Sequence, residues 1–319
     1  MTADAAAGVH VLPVPTPFLV GRVNCYLIED DPLTLVDTGP NSGTSLTALE
    51  HALAAHGRRV EDLERIVLTH QHHDHIGLAA ILAERSGAEV CALDALARWL
   101  ADFGGSAEAD DAFAATTMLR HGIEHDVVSA LRMVSASFRG WGAAVDVTRP
   151  LAVGSELAFA GRSLRVLHRP GHSPSDTVFH DEATGVLLGG DHLIAHISSN
   201  PLITRPLGAA PEATERPKAL VTYLASLRET RAMDLRVVLP GHGKPVEDHR
   251  ALIDERFKGH DRRKEKIAGL LDDQPRTAHQ IAQAIWGNVA VTQAYLTLSE
   301  VLGHVDLLLD EGRIVEVEH

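Results

Sequence analysis

A short β-branched run, Arg65-Ile66-Val67-Leu68, leads directly into Thr69-His70-Gln71-His72-His73-Asp74-His75-Ile76-Gly77. No other stretch constrains the chain as tightly. The first four residues read as a buried strand. Gly77-Leu78-Ala79-Ala80-Ile81-Leu82 reads as the start of a helix that Gly87 closes. Between them, His70, His72, His73, Asp74 and His75 can all ligate metal. They sit on a turn at the C-terminal end of a strand, where open α/β sheets place their chemistry. From extended backbone, His70 and His72 point the same way. Asp74 and His75 follow the turn and aim at a second point. One loop thus offers two pairs of ligands for two adjacent metal positions. A structural zinc site needs a single closed position with four ligands, whereas half-filled positions with room for water suit a catalyst.

Similar strand-then-ligand passages recur along the chain. Val36-Asp37-Thr38-Gly39, Pro170-Gly171-His172-Ser173, Gly189-Gly190-Asp191-His192 and Pro240-Gly241-His242-Gly243 each follow an apolar run or a hairpin. Together with His70-x-His72-x-Asp74-His75, these five ordered motifs resemble the signature of the metallo-β-lactamase-fold hydrolases. The resemblance implies an α/β fold, a four-layer αββα sandwich. It also implies a dinuclear centre in which His70, His72 and His172 hold one ion, Asp74, His75 and His242 hold the other, and Asp191 bridges. Two zinc ions are expected, with iron or manganese also compatible because mixed N/O ligands select weakly. Such ions activate a shared water and polarise the scissile carbonyl or phosphoryl oxygen. Asp74 or Asp191 would take the proton, and Asp37 would buttress the metal loop from behind. One class of true β-lactamases carries a cysteine where this chain has Asp191, which disfavours antibiotic hydrolysis. Some lactonases of the family carry a tyrosine just past the bridging aspartate; Leu193, Ile194 and Ala195 stand here instead. His196 is the candidate replacement, as a catalytic hydrogen-bond donor to the substrate oxyanion.

Around these motifs, Val9 to Val14, Val23 to Ile28 and Leu33 to Val36 read as strands, and Ser42 to His56 as a helix stopped by Gly57. Glu89 to Leu93 is another strand. Residues 94–141 turn helical and hold Trp99, Phe103, Phe113, Phe138 and Trp141; Val127, Leu131, Val134 and Phe138 form an amphipathic stripe. Core packing explains such a stripe, but an insertion between the first two histidine motifs also fits a lid that shapes a substrate pocket. Strands are expected at Val145 to Val147, Glu156 to Ala160, Ser163 to Leu167, Thr177 to His180, Val186 to Leu188 and Arg236 to Leu239, with a helix from Pro211 to Thr230. The catalytic domain is therefore expected to span residues 1–247. Residues 248–319 follow as a small unit: a charged helix from Asp248 to Asp272, two shorter helices from Thr277 and from Val291, and a wing at Glu311 to Val317. This resembles the winged-helix appendage of one subfamily, some members of which cleave single-stranded RNA.

Charge decides how that appendage is read. With 43 acidic and 29 basic residues the formal net charge is -14, which repels phosphate backbones. The would-be recognition helix, Val291 to Leu302, has no Lys or Arg, so groove reading is disfavoured. The basic residues Arg256, Lys258, Arg262, Arg263, Lys264 and Lys266 are interleaved with Glu255, Asp261 and Glu265, as on a solvated, salt-bridged helix. The appendage is expected to pack, to form a homodimer or to help build the pocket. Cys25 and Cys91 lie in apolar runs and read as core residues of a reducing compartment. No leader pattern and no membrane-length apolar run is seen, so a cytoplasmic location without membrane contact is expected. The expected reaction is hydrolysis of a carboxylic thioester or ester with a small-molecule acyl substrate. Cleavage of RNA or another phosphodiester, or of a lactone, is the alternative. A flavodiiron-type redox scaffold would want a carboxylate among the first ligands and an attached flavin domain, and neither is present.

Overall fold

A computed structural model describes residues 6–210, 212–271 and 274–317. Two sheets form its centre. The first has six strands in the order β1 (Val9–Val14), β2 (Val23–Ile28), β3 (Thr34–Val36), β4 (Arg65–Val67), β5 (Glu89–Leu93) and β6 (Arg149–Leu151). The second runs β11 (Val237–Pro240), β10 (Val186–Gly190), β9 (Thr177–Asp181), β8 (Ser163–His168) and β7 (Glu156–Ala158). β3 through β6 pair in parallel, as do β10 and β11. Strands buried on both faces need continuous apolar runs, and β2 and β10 are buried at every position.

Between the sheets, Tyr26, Ile28, Val36, Val67 and Cys91 meet Leu164, Val166, Phe179, Leu188 and Leu239. Helices cover both outer faces. On the first lie α1 (Gly43–Ala55), the one-turn α2 (His73–Ile76), α3 (Ala79–Ser86) and α4 (Asp94–Ala101). The Ser42 side chain caps α1 by accepting from Ser45 N, and Gly87 ends α3 at φ 73°. On the second face lie α7 (Ala219–Ala232) and α8 (His249–Gly269). The result is the four-layer αββα sandwich. No helix among the described residues is long and apolar enough to cross a membrane. Cys25 and Cys91 are free and buried.

Helices fill the insertion: α4, then α5 (Phe103–Arg120) and α6 (His125–Phe138). Its apolar side does not stand alone. Phe113, Met118 and Val128 share one core with Ile267 of α8 and with α9 (Ala278–Trp286) and α11 (Ala294–Asp310), which follow α8 around the short α10 (Val289–Thr292). The expected stripe splits. Val127 and Leu131 pack on this core, while Val134 and Phe138 stay exposed at 48% and 40%, as does Met133, outside the stripe, at 76%.

Several boundaries differ from expectation. The strand expected at Val145 to Val147 forms instead at Arg149–Leu151, because Val145 is drawn to the insertion by a bond from its N–H to the Leu100 carbonyl. The helix expected from Pro211 starts at Ala219, after Pro217. Pro211 itself lies outside the described residues, as does Asp272, the expected end of the charged helix. The wing expected at Glu311 to Val317 forms no strand among the described residues. A lone strand has no partner for its backbone groups, and here Arg313 pairs with Glu265 while Ile314 packs on the helical core.

Candidate metal centre

The ends of five strands deliver the polar residues to one edge of the sandwich. Asp37 follows β3, the His70–His75 loop follows β4, His172 lies past β8, Asp191 follows β10, and His242 follows β11. Within this cluster His70 Nε2 and His172 Nε2 each lie 3.0 Å from His72 Nδ1. Asp191 stands between this trio and a second group. Its Oδ2 is 3.6 Å from His172 Nε2 and 3.4 Å from His242 Nε2, and its Oδ1 is 3.4 Å from His75 Nε2. Asp74 Oδ2 lies 3.2 Å from His242 Nε2. All seven residues expected as ligands converge. His73, metal-competent in the sequence, does not join them; its ring packs edge-on against Phe103. His196 lies exposed beside the His242 turn, where a Cβ added to Gly243 would come 2.6 Å from its Nδ1.

Backbone and carboxylate acceptors fix which nitrogen each ring presents. Asp37, buried with φ 59°, is the hub. Its Oδ1 accepts from Thr69 N at 2.9 Å; its Oδ2 accepts from Thr69 Oγ1 at 2.9 Å and from His75 Nδ1 at 2.8 Å. Because the Thr69 hydroxyl donates to Asp37, its lone pair accepts from His70 Nδ1 at 2.9 Å, which leaves His70 Nε2 bare. His242 Nδ1 donates to the Arg22 carbonyl at 2.8 Å and His172 Nδ1 to the Asn200 carbonyl at 3.2 Å. Such outer bonds set tautomer and ring direction in metal sites.

Three atoms at the centre are buried without a hydrogen-bond partner: His75 Nε2, His242 Nε2 and Asp191 Oδ1. Leaving them unpaired is costly, of order ~1–3 kcal/mol each, and a cation between them would satisfy all three. The charges agree. Burial opposes ionisation of His75, yet Asp191, Asp37 and Asp74 hold its pKa well above the ordinary value. Burial likewise opposes a charge on His242, which Asp191 and Asp74 still push up to about 9. Burial would raise Asp191, but His75 and His242 hold it well below the carboxylate range. The pocket therefore favours positive charge beside its carboxylates. Burial, with His172 next, takes His72 the other way, to about 3, so its ring is a neutral donor at pH 7. Two groups of such ligand atoms, His70/His72/His172/Asp191 and Asp74/His75/His242, fit metal ions. Close approach is built in: a Cβ on Gly241 would meet Asp191 Oδ1 at 2.3 Å.

Several supporting residues escaped the sequence reading. Asn24 joins the two sheets at this edge, donating from Nδ2 to the carbonyls of Pro240 (3.0 Å) and Gly243 (2.9 Å), and Tyr26 Oη donates to Pro240 O at 2.7 Å. A buried Asn in the apolar run Val23-Asn24-Cys25-Tyr26 was the available signal. A separate His260/Glu300/His304 group forms between α8 and α11, with His260 Nδ1 3.3 Å from His304 Nε2.

The sequence profile of the metallo-beta-lactamase superfamily matches residues 19–242. The chain belongs to this superfamily. Within it, a probable metallo-hydrolase, YqjP of Bacillus subtilis, is 35% identical over 310 residues, 96% of this chain and 93% of that one. The crystal structure of a superfamily protein from Thermus thermophilus is 31% identical, with a TM-score of 0.76 covering 96% and 94% of the two chains. An atrochrysone carboxyl ACP thioesterase of Aspergillus fumigatus is 25% identical over 145 residues, 46% of this chain and 31% of that protein. Superfamily membership and the converging ligand set make the chain a metal-dependent hydrolase.

Proposed function

We propose that this hydrolase cleaves a carboxylic thioester or ester with an apolar acyl portion, using two metal ions, zinc by preference. The observation that carries the metal count is Asp191, whose carboxylate lies 3.6 Å from His172 of the first group and 3.4 Å from both His75 and His242 of the second. His70, His72 and His172 would hold one ion, Asp74, His75 and His242 the other, with Asp191 shared. Bound there, the ions would supply Lewis acidity toward water and toward the scissile carbonyl. The chain's own residues do the rest. Asp74 turns Oδ2 to His242 and leaves Oδ1 without a near partner, the closest being His75 Nε2 at 4.0 Å. Oδ1 is thus the atom that takes a proton and returns it to the leaving group. His196 is the candidate donor to the substrate oxyanion.

Support for an apolar acyl group comes from the rim. The segment that orients His242 through Arg22 also carries Leu19, 97% exposed, and Phe18, which packs edge-on against Phe138. Met133 and Val134 are exposed on the same helix as Phe138, and we read these apolar residues together as a lip for the acyl group, since exposed apolar patches mark binding surfaces. The short likeness to an acyl-carrier-protein thioesterase agrees.

The RNA reading loses support from the same structure. α11 carries no Lys or Arg, and part of the basic run on α8 is engaged within the protein: Lys264 pairs with Glu311, while Arg263 lies over Trp286 and 3.6 Å from Glu300. The test is proton release at pH 8 by the metal-loaded protein with acyl-CoA thioesters, simple esters, lactones, a β-lactam and single-stranded RNA. Turnover of a thioester or ester that Asp74→Ala lacks is the expected result. Turnover of RNA alone would overturn the proposal.

A further inference from the structure

Asp191 begins a segment, residues 191–203, that also supplies the acceptor orienting His172, since His172 Nδ1 donates to Asn200 O. The segment has no regular secondary structure, so its own backbone cannot hold it. Something else must fix the bridging carboxylate. Three bonds close the segment on itself and on α7: Ser199 Oγ donates to Asp191 O at 2.5 Å, Tyr223 Oη donates to His192 O at 3.0 Å, and His192 Nε2 lies 2.8 Å from Thr230 Oγ1. Further polar anchors come from the C-terminal helices. Asn200 Nδ2 donates to Leu296 O of α11 at 3.3 Å, Ile203 N donates to Ser299 Oγ at 3.3 Å, and Tyr295 Oη donates to Ile203 O.

At the middle of the segment a single guanidinium nitrogen gathers three carbonyls. Arg256 Nη2, on α8, donates to Ile194 O at 3.1 Å, Ala195 O at 3.0 Å and Ile197 O at 3.0 Å. Among the described residues no carboxylate pairs with Arg256, unlike its neighbours Arg263 and Lys264. The half-buried charge is met by backbone dipoles alone, the two N–H hydrogens of that nitrogen being shared among the three carbonyls. Three carbonyls turned toward one nitrogen also fix the curl of residues 194–197, and with it the place of His196 against Gly243.

We infer that Arg256 is a positioning residue for the metal centre, and that the C-terminal helices serve this hydrolase by bracing the Asp191–Asn200 segment. The inference rests on the metal reading of the centre but not on the choice of substrate. Outer contacts of metal ligands are worth about 10–100-fold in metal affinity or activity, and Arg256 acts on two ligands, Asp191 and His172, through one segment.

The test compares the full-length wild type with Arg256→Met, Arg256→Lys and Ser199→Ala. Each is loaded with Co2+ for its visible absorption spectrum and titrated with Zn2+ against a chelator, with the melting temperature recorded alongside. Neither metal readout needs a substrate, so failure here is separable from failure of the thioester proposal. Arg256→Met is expected to alter the Co2+ spectrum and to weaken Zn2+ binding about 10–100-fold, with Arg256→Lys recovering part of the loss. Ser199→Ala should alter the same spectrum, and it decides the matter if Arg256→Met does not fold. A lowered melting temperature with unchanged spectrum and unchanged Zn2+ affinity would reduce Arg256 to ordinary packing and overturn the inference.

Discussion

Asp37 sits at φ 59°, a left-handed backbone that costs a non-glycine residue about 1–3 kcal/mol. The cost is met because that turn aims both carboxylate oxygens at the metal loop, one bond to the Thr69 backbone and one each to the Thr69 hydroxyl and His75. Asp37→Ala should therefore weaken metal binding and activity by about 10–100-fold, read by chelator competition, although Asp37 is no ligand itself. Asp74→Ala should cut turnover at least about 100-fold while the circular dichroism spectrum stays that of the wild type. A different residue-scale effect belongs to His260 and His304. Burial first, then His304, Arg256 and Arg263 around His260 and Arg263 and Lys264 around His304, hold both near 4 despite the Glu300 carboxylate and carbonyl. In the unfolded chain a histidine titrates near ~6.5. Between those values the unfolded chain binds protons that the folded protein does not, so stability falls as pH drops from about 6.5 toward 4. A shift of this size is worth on the order of 3 kcal/mol. Urea melts at pH 7 and pH 5 should show the loss, and His260→Gln should flatten it.

At the scale of elements, the insertion α4–α6 divides its apolar residues between two tasks. Phe113, Met118 and Val128 go into the core shared with α9 and α11, and Met133, Val134 and Phe138 remain exposed, forming the proposed acyl-binding lip. Phe138→Ala removes the ring that packs on Phe18. It should raise KM for long-chain thioesters about tenfold, the equivalent of roughly one to two kcal/mol of apolar contact, with little change for an acetyl thioester. Equal effects on both chain lengths would count against the lip as an acyl-binding surface. Periodicity could not separate the two tasks, because a helix face that packs on its own protein and one that waits for substrate show the same spacing.

For the whole molecule, the helical core joins the insertion to residues beyond 247: Phe113, Met118 and Ile203 pack with Ile267, Ile281, Leu298 and Val301. A chain ending at Glu247 would expose that core and lose the Arg256 brace. We expect it to be insoluble or to melt well below the full chain, as followed by differential scanning fluorimetry. A stable, metal-binding 1–247 fragment would show instead that the C-terminal helices are dispensable.

The sequence by itself determined the fold class and the identity of the candidate ligands. Strand runs of period two or unbroken apolar character are local, and so are the turns after them, so Asp37, His70, His72, Asp74, His75, His172, Asp191 and His242 could be named from spacing and resemblance alone. Tertiary structure decided what no local pattern encodes. It turned His73 away toward Phe103, chose the nitrogen each histidine presents, and set Asn24 across two sheets onto residues more than two hundred positions away. It also left the expected wing unformed and put Arg256 on the carbonyls of residues 194–197. Hydrogen bonds to backbone carbonyls carry no side-chain signature on the accepting residue, and partners distant in sequence meet only when the chain is folded.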